Sequence, residues 1–166
     1  MAIFMQVTGM QGNANAQSYS QQIPVRNVKQ GIQVNVNNKV GHGDNRVNGQ
    51  PTILPTIVEI EMDNTWPNWV KTISTGTNIQ KVLISFTDSG NAAAYATIEL
   101  DDVIVGDYSL SPILDENGQP ETDKRPVMTL ALYENSFINT FTPRAANNAA
   151  GTPNRAGFNK TTIVAQ

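Results

Sequence analysis

Hydrophobic and polar residues alternate with a period of two over most of the chain. In residues 32–37 (IQVNVN), isoleucine and valine side chains alternate with Gln33, Asn35 and Asn37. A period of two predicts half-buried antiparallel strands with their apolar side chains in the core. Repeated short strands between turn-rich segments predict an all-β fold, either a barrel or a sandwich. The same alternation runs through residues 3–7, 58–62, 82–86, 94–100 and 128–133.

One segment follows a helical period instead. Trp66, Trp69, Val70 and Ile73 are spaced i, i+3, i+4 and i+7, which places them on one face of a short flanking α-helix. A tryptophan pair can stack on sugars or bases, but a single apolar face more often packs into a core, so all four are interpreted as core anchors. The expected capping residues are Asp63, Asn64 or Thr65 before the helix and Gly76 after it.

Two segments interrupt the strand pattern. Residues 39–55 (KVGHGDNRVNGQPTILP) are rich in glycine and proline and are predicted to form a long loop. Loops beyond about 12–15 residues are usually functional or disordered. Residues 143–166 form a tail rich in asparagine, alanine and glycine that ends in a β-like TTIVA. The length of 166 residues predicts one domain, residues 1–166.

The composition narrows the classes of function. There is no cysteine and only one histidine, His42, so a disulfide scaffold, a thiol nucleophile or a histidine-based metal site is not expected. No apolar run reaches the roughly 20 residues of a membrane helix. Residues 1–10 have no basic start, so no cleaved leader is expected. Neither a cofactor nor membrane insertion is expected.

The charge is unevenly distributed along the chain. Residues 1–55 carry four basic residues and one acid, for +3; residues 56–123 carry two and twelve, for −10. Residues 124–166 carry five and one, for +4. Ordinary solvated faces explain such a pattern, but opposite patches also suit a head-to-tail interface between identical subunits.

No catalytic motif emerges from the remaining polar residues. His42 and Asp44 lack a neighbouring nucleophile and oxyanion hole, so a polar turn is the simpler interpretation. Asp101 and Asp102 are adjacent and point to opposite faces of a strand. Glycine-rich phosphate loops and interleaved basic and aromatic residues are both missing, and the protein is expected to be neither an enzyme nor a nucleic-acid binder.

Read in order, the segments resemble the haemolysin-coregulated protein (Hcp) family of bacterial type VI secretion. AIFMQVTGMQGN resembles its first strand, and residues 56–76 are similar to its strand–helix unit. KVLISFT followed by ATIELDDVIVGDYSLS resembles its central hairpin. VMTLALYENSFINTFTP is similar to its late strands, and AGFNKTT resembles its C-terminal segment.

This resemblance implies an all-β dominated fold, a β-barrel of two packed antiparallel sheets with one short flanking α-helix. It also implies a structural tube subunit rather than an enzyme. The subunits would form homohexameric rings that stack into a hollow tube, and a contractile sheath would expel this tube with effector proteins. The other expected partners are the spike and baseplate proteins. The protein would stay in the bacterial cytoplasm before firing and then be secreted without a cleaved signal peptide.

The candidate surfaces follow from that assembly. Gln33, Asn35 and Asn37 are expected to line the lumen. The candidate ring-stacking residues, all in the loop 39–55, are His42, Asp44, Arg46, Val47, Ile53 and Leu54.

Three alternative functions remain for the protein. They are a phage-tail-tube-like protein, a carbohydrate-binding β-sandwich using Trp66 and Trp69, and a hydrolase built around His42.

Overall fold

The structure, a computed structural model, describes residues 1–36, 47–89, 92–144, 150–162 and 164–165. These residues form mainly β-strands with one α-helix, as the period-two alternation predicts. A short 3₁₀ turn, Gln17–Tyr19, lies between the first two strands. The elements are β1 (Ala2–Val7), β2 (Ile23–Val36), β3 (Val47–Glu61), α1 (Trp66–Thr75), β4 (Ile79–Thr87), β5 (Ala96–Ser111), β6 (Val127–Tyr133), β7 (Ser136–Phe141), β8 (Asn154–Asn159) and β9 (Val164–Ala165).

Six strands close into a barrel. The hydrogen-bonded order is β4-β1-β2-β3-β6-β5, and β5 pairs back onto β4 to close the ring of strands. Each of these pairings is antiparallel. Closure pairs both edges of each strand over part of its length, which protects the backbone from pairing with other chains. The predicted β-barrel with one short helix is therefore confirmed.

Three further strands extend sideways from the barrel. β6 and β7 lie end to end along the same edge of β5, with Tyr133 opposite Ile104 and Ser136 opposite Asp101. β6 continues the barrel through β3, whereas β7 pairs with β8, and β8 with β9. We call these three strands the β7–β9 extension. The sheet therefore divides between Tyr133 and Ser136, where β6 stays in the barrel and β7 begins the extension. We call this point the split.

The barrel interior is lined by apolar side chains. Alternate side chains of its strands point inward, as the sequence pattern predicts, and many are completely shielded from solvent. A second, smaller cluster lies outside β1, where the Phe4 and Tyr19 rings stack with centroids 4.6 Å apart. The fully shielded barrel residues include Met5, Val58, Ile60, Val82, Ile84, Leu100, Met128, Leu130 and Leu132.

The helix α1 begins and ends where the sequence indicates. Thr65 is the N-cap residue, and Gly76 ends the helix in the left-handed conformation with φ 61°. Glycine takes this conformation without the steric cost that a Cβ imposes. The amide of Thr77 donates to the Thr72 carbonyl at 3.1 Å, which completes the C-terminal cap.

The predicted loop 39–55 is wrong over most of its length. β3 begins at Val47, and residues 39–46 lie outside the described residues. Pairing with β2 overrides the turn signals of this segment. Pro55 falls where the register shifts between Lys29 and Gly31, and the Gly49–Pro51 segment falls where it shifts again. Glycine and proline are tolerated at such irregularities within strands.

In the described part of the predicted tail, residues 143–144, 150–162 and 164–165, there is a strand, β8, that the composition does not predict. β8 pairs with β7 along six residues, and β9 confirms the β-like ending. Gly157 is required for this pairing, because a Cβ at that position would lie 2.1 Å from the Phe137 carbonyl oxygen. Gly157, which the sequence places in a predicted tail, therefore lies where the backbones of β7 and β8 approach each other closely.

Candidate assembly surface

The far end of the β2–β3 hairpin carries an exposed apolar row. This distal hairpin comprises Gly31–Val36 of β2 and Val47–Leu54 of β3. Ile32, Val34 and Val36 are 49%, 38% and 51% exposed, although they alternate regularly with polar neighbours. The prediction that these three side chains face the core is therefore wrong for the single subunit. These three side chains do share one face of the strand, but the distal hairpin extends beyond the barrel core, so the core does not cover that face.

The base of the distal hairpin is anchored in the barrel. Ile53 lies opposite Ile32, is only 5% exposed and belongs to the main core cluster. Leu54 is 40% exposed, and its Cδ1 lies 3.2 Å from the position that a Cβ on Gly31 would occupy. Ile53 is therefore a core residue and not a surface contact, which corrects its assignment to a ring-stacking loop.

Only part of the other predicted surfaces can be placed. Gln33 and Asn35 are exposed on the distal hairpin, on the strand face opposite the apolar row. Asn37, His42, Asp44 and Arg46 lie outside the described residues. The backbone of Val47 pairs with Val36 at the outer end of the distal hairpin.

The helix anchors differ from one another in burial. Trp69 is fully shielded and Ile73 packs against the core, while Val70 is half-buried. Trp66 is 36% exposed, so its assignment as a buried anchor is wrong. It is the first helical residue, and side chains tilt toward the N-terminus of a helix, which carries this indole past the edge of the core.

The buried indole is held by a chain of hydrogen bonds. Trp69 Nε1 donates to Thr65 Oγ1 at 3.0 Å, and Thr65 Oγ1 donates to Asp63 Oδ1 at 2.5 Å. The Thr65 amide donates to the same Asp63 oxygen at 2.9 Å. Because Trp69 is inaccessible, the two indoles cannot form a sugar-stacking platform, which excludes the carbohydrate-binding alternative in the form proposed above.

Two further apolar patches were missed by sequence reasoning. Ile104 and Tyr133 lie opposite each other on β5 and β6 and are each about half exposed. Phe141 of β7 is 53% exposed and meets Tyr95 edge to face at 6.3 Å. The alternation itself carries the signal for Tyr133, since Leu130 and Leu132 point inward and their neighbour must point outward.

The fold brings together the charges that the sequence separates. Arg26, from the basic N-terminal part, lies 3.5 Å from Glu61 in the acidic middle. Arg144, from the basic C-terminal part, lies 3.2 Å from Asp88. Such exposed pairs contribute little to stability, but they reduce the charge separation within one subunit. The uneven charge along the sequence is therefore a weaker argument for a head-to-tail interface than the exposed apolar row.

Among the residues that the structure describes, no three histidine, cysteine or acidic side chains come together in a way that could hold a metal ion. Nor does any helix among these residues have the length and apolar character needed to cross a bilayer.

The closed barrel with a side extension and a protruding hairpin places the chain among all-β proteins, and the comparisons identify the family. The family described as "Type VI secretion system effector, Hcp" matches residues 4–135. The chain therefore belongs to the Hcp family. It is a type VI secretion system protein of the tube or effector kind, in a family of structural tube proteins that the system secretes. No curated protein sequence matches the chain.

Solved structures share the fold at low sequence identity. One described as a type six secretion system protein has a TM-score of 0.87 at 18% identity, covering 99% of each chain. Hcp1 from Salmonella typhimurium has a TM-score of 0.74 at 16% identity, covering 99% of this chain and 98% of its own. Hcp3 from Pseudomonas aeruginosa, described as secreted, has a TM-score of 0.63 at 13% identity, with 93% and 95% covered.

Proposed function

We propose that the protein is the subunit of a type VI secretion inner tube, in which rings of six copies stack into a hollow cylinder that carries effector proteins. The observation that carries this proposal is the exposed row of Ile32, Val34 and Val36 on the distal hairpin. Exposed apolar groups that lie together on a projecting element commonly mark protein contact sites.

The contact that closes the ring joins two different surfaces. A ring of identical subunits needs a heterologous interface, in which one patch of a subunit meets another patch of its neighbour. The apolar row of one copy supplies the first surface. The Ile104–Tyr133 pair and the region of Phe141 are two candidate receiving surfaces on the next copy.

The receiving surface can be identified by introduced cysteines, because the chain contains none of its own. A Val34→Cys protein is mixed with either a Tyr133→Cys or a Phe141→Cys protein under mild oxidation. A disulfide-linked dimer with one of the two partners identifies the receiving surface. Linkage of Val34→Cys only to itself would contradict a heterologous ring.

The segment between β2 and β3, together with Val47 and Leu54 of β3, is proposed to contact the next ring in the stack. The proposal keeps His42, Asp44, Arg46, Val47 and Leu54 as stacking residues, and Ile53 is removed because it is buried. Gln33, Asn35 and Asn37 are proposed to face the lumen, where uncharged amides hold varied cargo without strong electrostatic attraction. Because β3 begins at Val47, replacement of residues 41–46 by two glycines leaves the distal hairpin intact. This variant should preserve rings but abolish stacking and export.

Export through the contractile machinery is the direct test of the function. The protein should accumulate in the medium of its own bacterium and disappear from the medium when the sheath gene is deleted, with its level in the cells unchanged. A cytoplasmic marker enzyme serves as the lysis control. Export that continues without the sheath would contradict the tube assignment, including its spike and baseplate partners.

A further inference from the structure

A carboxylic acid is buried where the barrel splits. Glu134 lies between the end of β6 and the start of β7 and is only 1% exposed. Glutamate is almost never buried to this extent unless it is paired. Its position links the barrel to the β7–β9 extension, since β6 belongs to the first and β7 to the second.

The contacts of the Glu134 carboxyl are unequal at its two oxygens. Thr56 Oγ1, on barrel strand β3, donates to Oε1 at 2.9 Å. Oε2 is buried and has no hydrogen-bond partner. Burial raises the pKa of Glu134. The hydrogen bond from its own backbone amide, those from Thr56 and the charge of Lys160 offset only part of this effect. Burial at this site therefore favours the neutral acid more than water does.

The same point is tied to the extension by its backbone. Lys160 Nζ, just after β8, donates to the Glu134 carbonyl oxygen at 2.9 Å. The Lys160 amide donates to the Asn135 carbonyl at 3.0 Å. The Asn135 and Thr161 side chains exchange hydrogen bonds at 2.8 and 3.0 Å. Residues on both sides of the split thus meet at Glu134.

The charged groups around the site come from two other elements. Lys160 is the cation that faces Glu134 from the end of β8. On β5, Asp101 and Asp102 accept the Asn135 amide through their backbone oxygens, at 3.1 and 3.3 Å. The Asp101 carboxylate lies 3.9 Å from Lys81 Nζ, which also pairs with Glu99 at 2.9 Å.

We propose that Glu134 is a protonation-controlled lock that holds the β7–β9 extension to the barrel. As a neutral acid, Glu134 stays buried against Thr56 and the split is closed. When the proton leaves to water, the carboxylate has one oxygen with no partner, and opening of the split hydrates it. The lock is at full strength below the unfolded pKa of glutamate and weakens as the pH rises through the folded pKa.

The lock can be measured by two independent methods. The carboxyl ¹³C resonance of Glu134 is expected to titrate above the ordinary glutamate value of 4.5. Hydrogen exchange of the β7 amides, corrected for the intrinsic pH effect, is expected to lose protection as the pH rises from the ordinary glutamate value to the measured pKa of Glu134. The loss of protection should be about tenfold for each unit by which the measured pKa is raised, because a one-unit difference in pKa between the closed and open states changes the opening equilibrium about tenfold.

Three variants make the test specific. Glu134→Gln cannot ionise and should abolish the pH-dependent loss of β7 protection, whatever its overall stability. Glu116→Gln, at an exposed loop position, should leave that loss unchanged. Lys160→Met removes the cation that favours the carboxylate, so the pKa of Glu134 should rise further and the loss should extend to higher pH.

Two results would overturn the proposal. One is a Glu134 carboxyl that titrates at or below its ordinary value. The other is an equal pH-dependent loss of β7 protection in the wild-type and Glu134→Gln proteins.

Discussion

Trp69 shows how one side chain joins the helix to the barrel. Its indole is fully shielded, and its Nε1 donates to Thr65, a residue that is itself buried beside the helix start. The aromatic ring supplies apolar burial, and the hydrogen bond satisfies the polar nitrogen inside the core. The only helix in the described residues therefore depends on this position more than on the rest of its apolar face.

Replacement of the two tryptophans should separate their roles. Trp69→Ala is expected to lower the free energy of unfolding by about 3–5 kcal/mol, because it leaves a cavity in the core. Trp66→Ala, at a position 36% exposed, is the matched control and should lower it by less than about 1 kcal/mol. Urea unfolding followed by circular dichroism measures both. Equal losses in the two variants would contradict the assignment.

Burial of individual residues could be predicted only in part. The spacing of Trp66 and Trp69 places both on the same face of the helix, but it cannot show where the barrel beneath the helix ends. Glu134 illustrates the same limit, since an isolated glutamate in a strand pattern normally indicates a solvated position. Its burial depends on a split in the sheet that no local pattern encodes.

Among the strands and the helix, the distal hairpin is the element whose apolar face the rest of the subunit leaves uncovered. Six residues of β2 continue beyond the barrel, and Ile32, Val34 and Val36 are exposed there. A strand pair with an uncovered apolar face is marginal in water on its own. Contact with another subunit would cover this face, which is why the proposed ring interface is placed there.

Substitutions on the two faces of the distal hairpin should have different effects. Ile32→Ser with Val34→Ser is expected to abolish ring formation while the melting temperature of the monomer changes by no more than about 3 °C, since both side chains are exposed in the subunit. Gln33→Ser with Asn35→Ser is the control on the opposite face and should leave the ring intact. Light scattering after size-exclusion chromatography reports both.

The strands were more predictable than the segments between them. Alternation located the central strands of the barrel because each buries one face, and cap residues located the helix for local reasons. The start of β3 at Val47 and the whole of β8 could not be predicted, because glycine, proline and asparagine indicate turns locally. In both cases pairing with a neighbouring strand supplied the hydrogen bonds that overrode the local preference.

At the scale of the whole molecule, the fold predicts assembly through apolar contacts rather than through charge. Arg26 and Arg144 each lie near an acidic side chain of the same subunit, which lowers the charge contrast available between subunits. Apolar contacts are insensitive to screening, whereas exposed ion pairs weaken as salt rises. The ring should therefore persist at salt concentrations that disrupt an electrostatic interface.

We propose that one subunit is incomplete until a neighbour covers its distal hairpin. Sedimentation velocity of the purified protein at micromolar concentration and moderate salt shows whether the subunits assemble. The expected result is one main species with a mass about six times the 18.0 kDa of a single chain. A stable monomer of about 18.0 kDa under the same conditions would contradict the account.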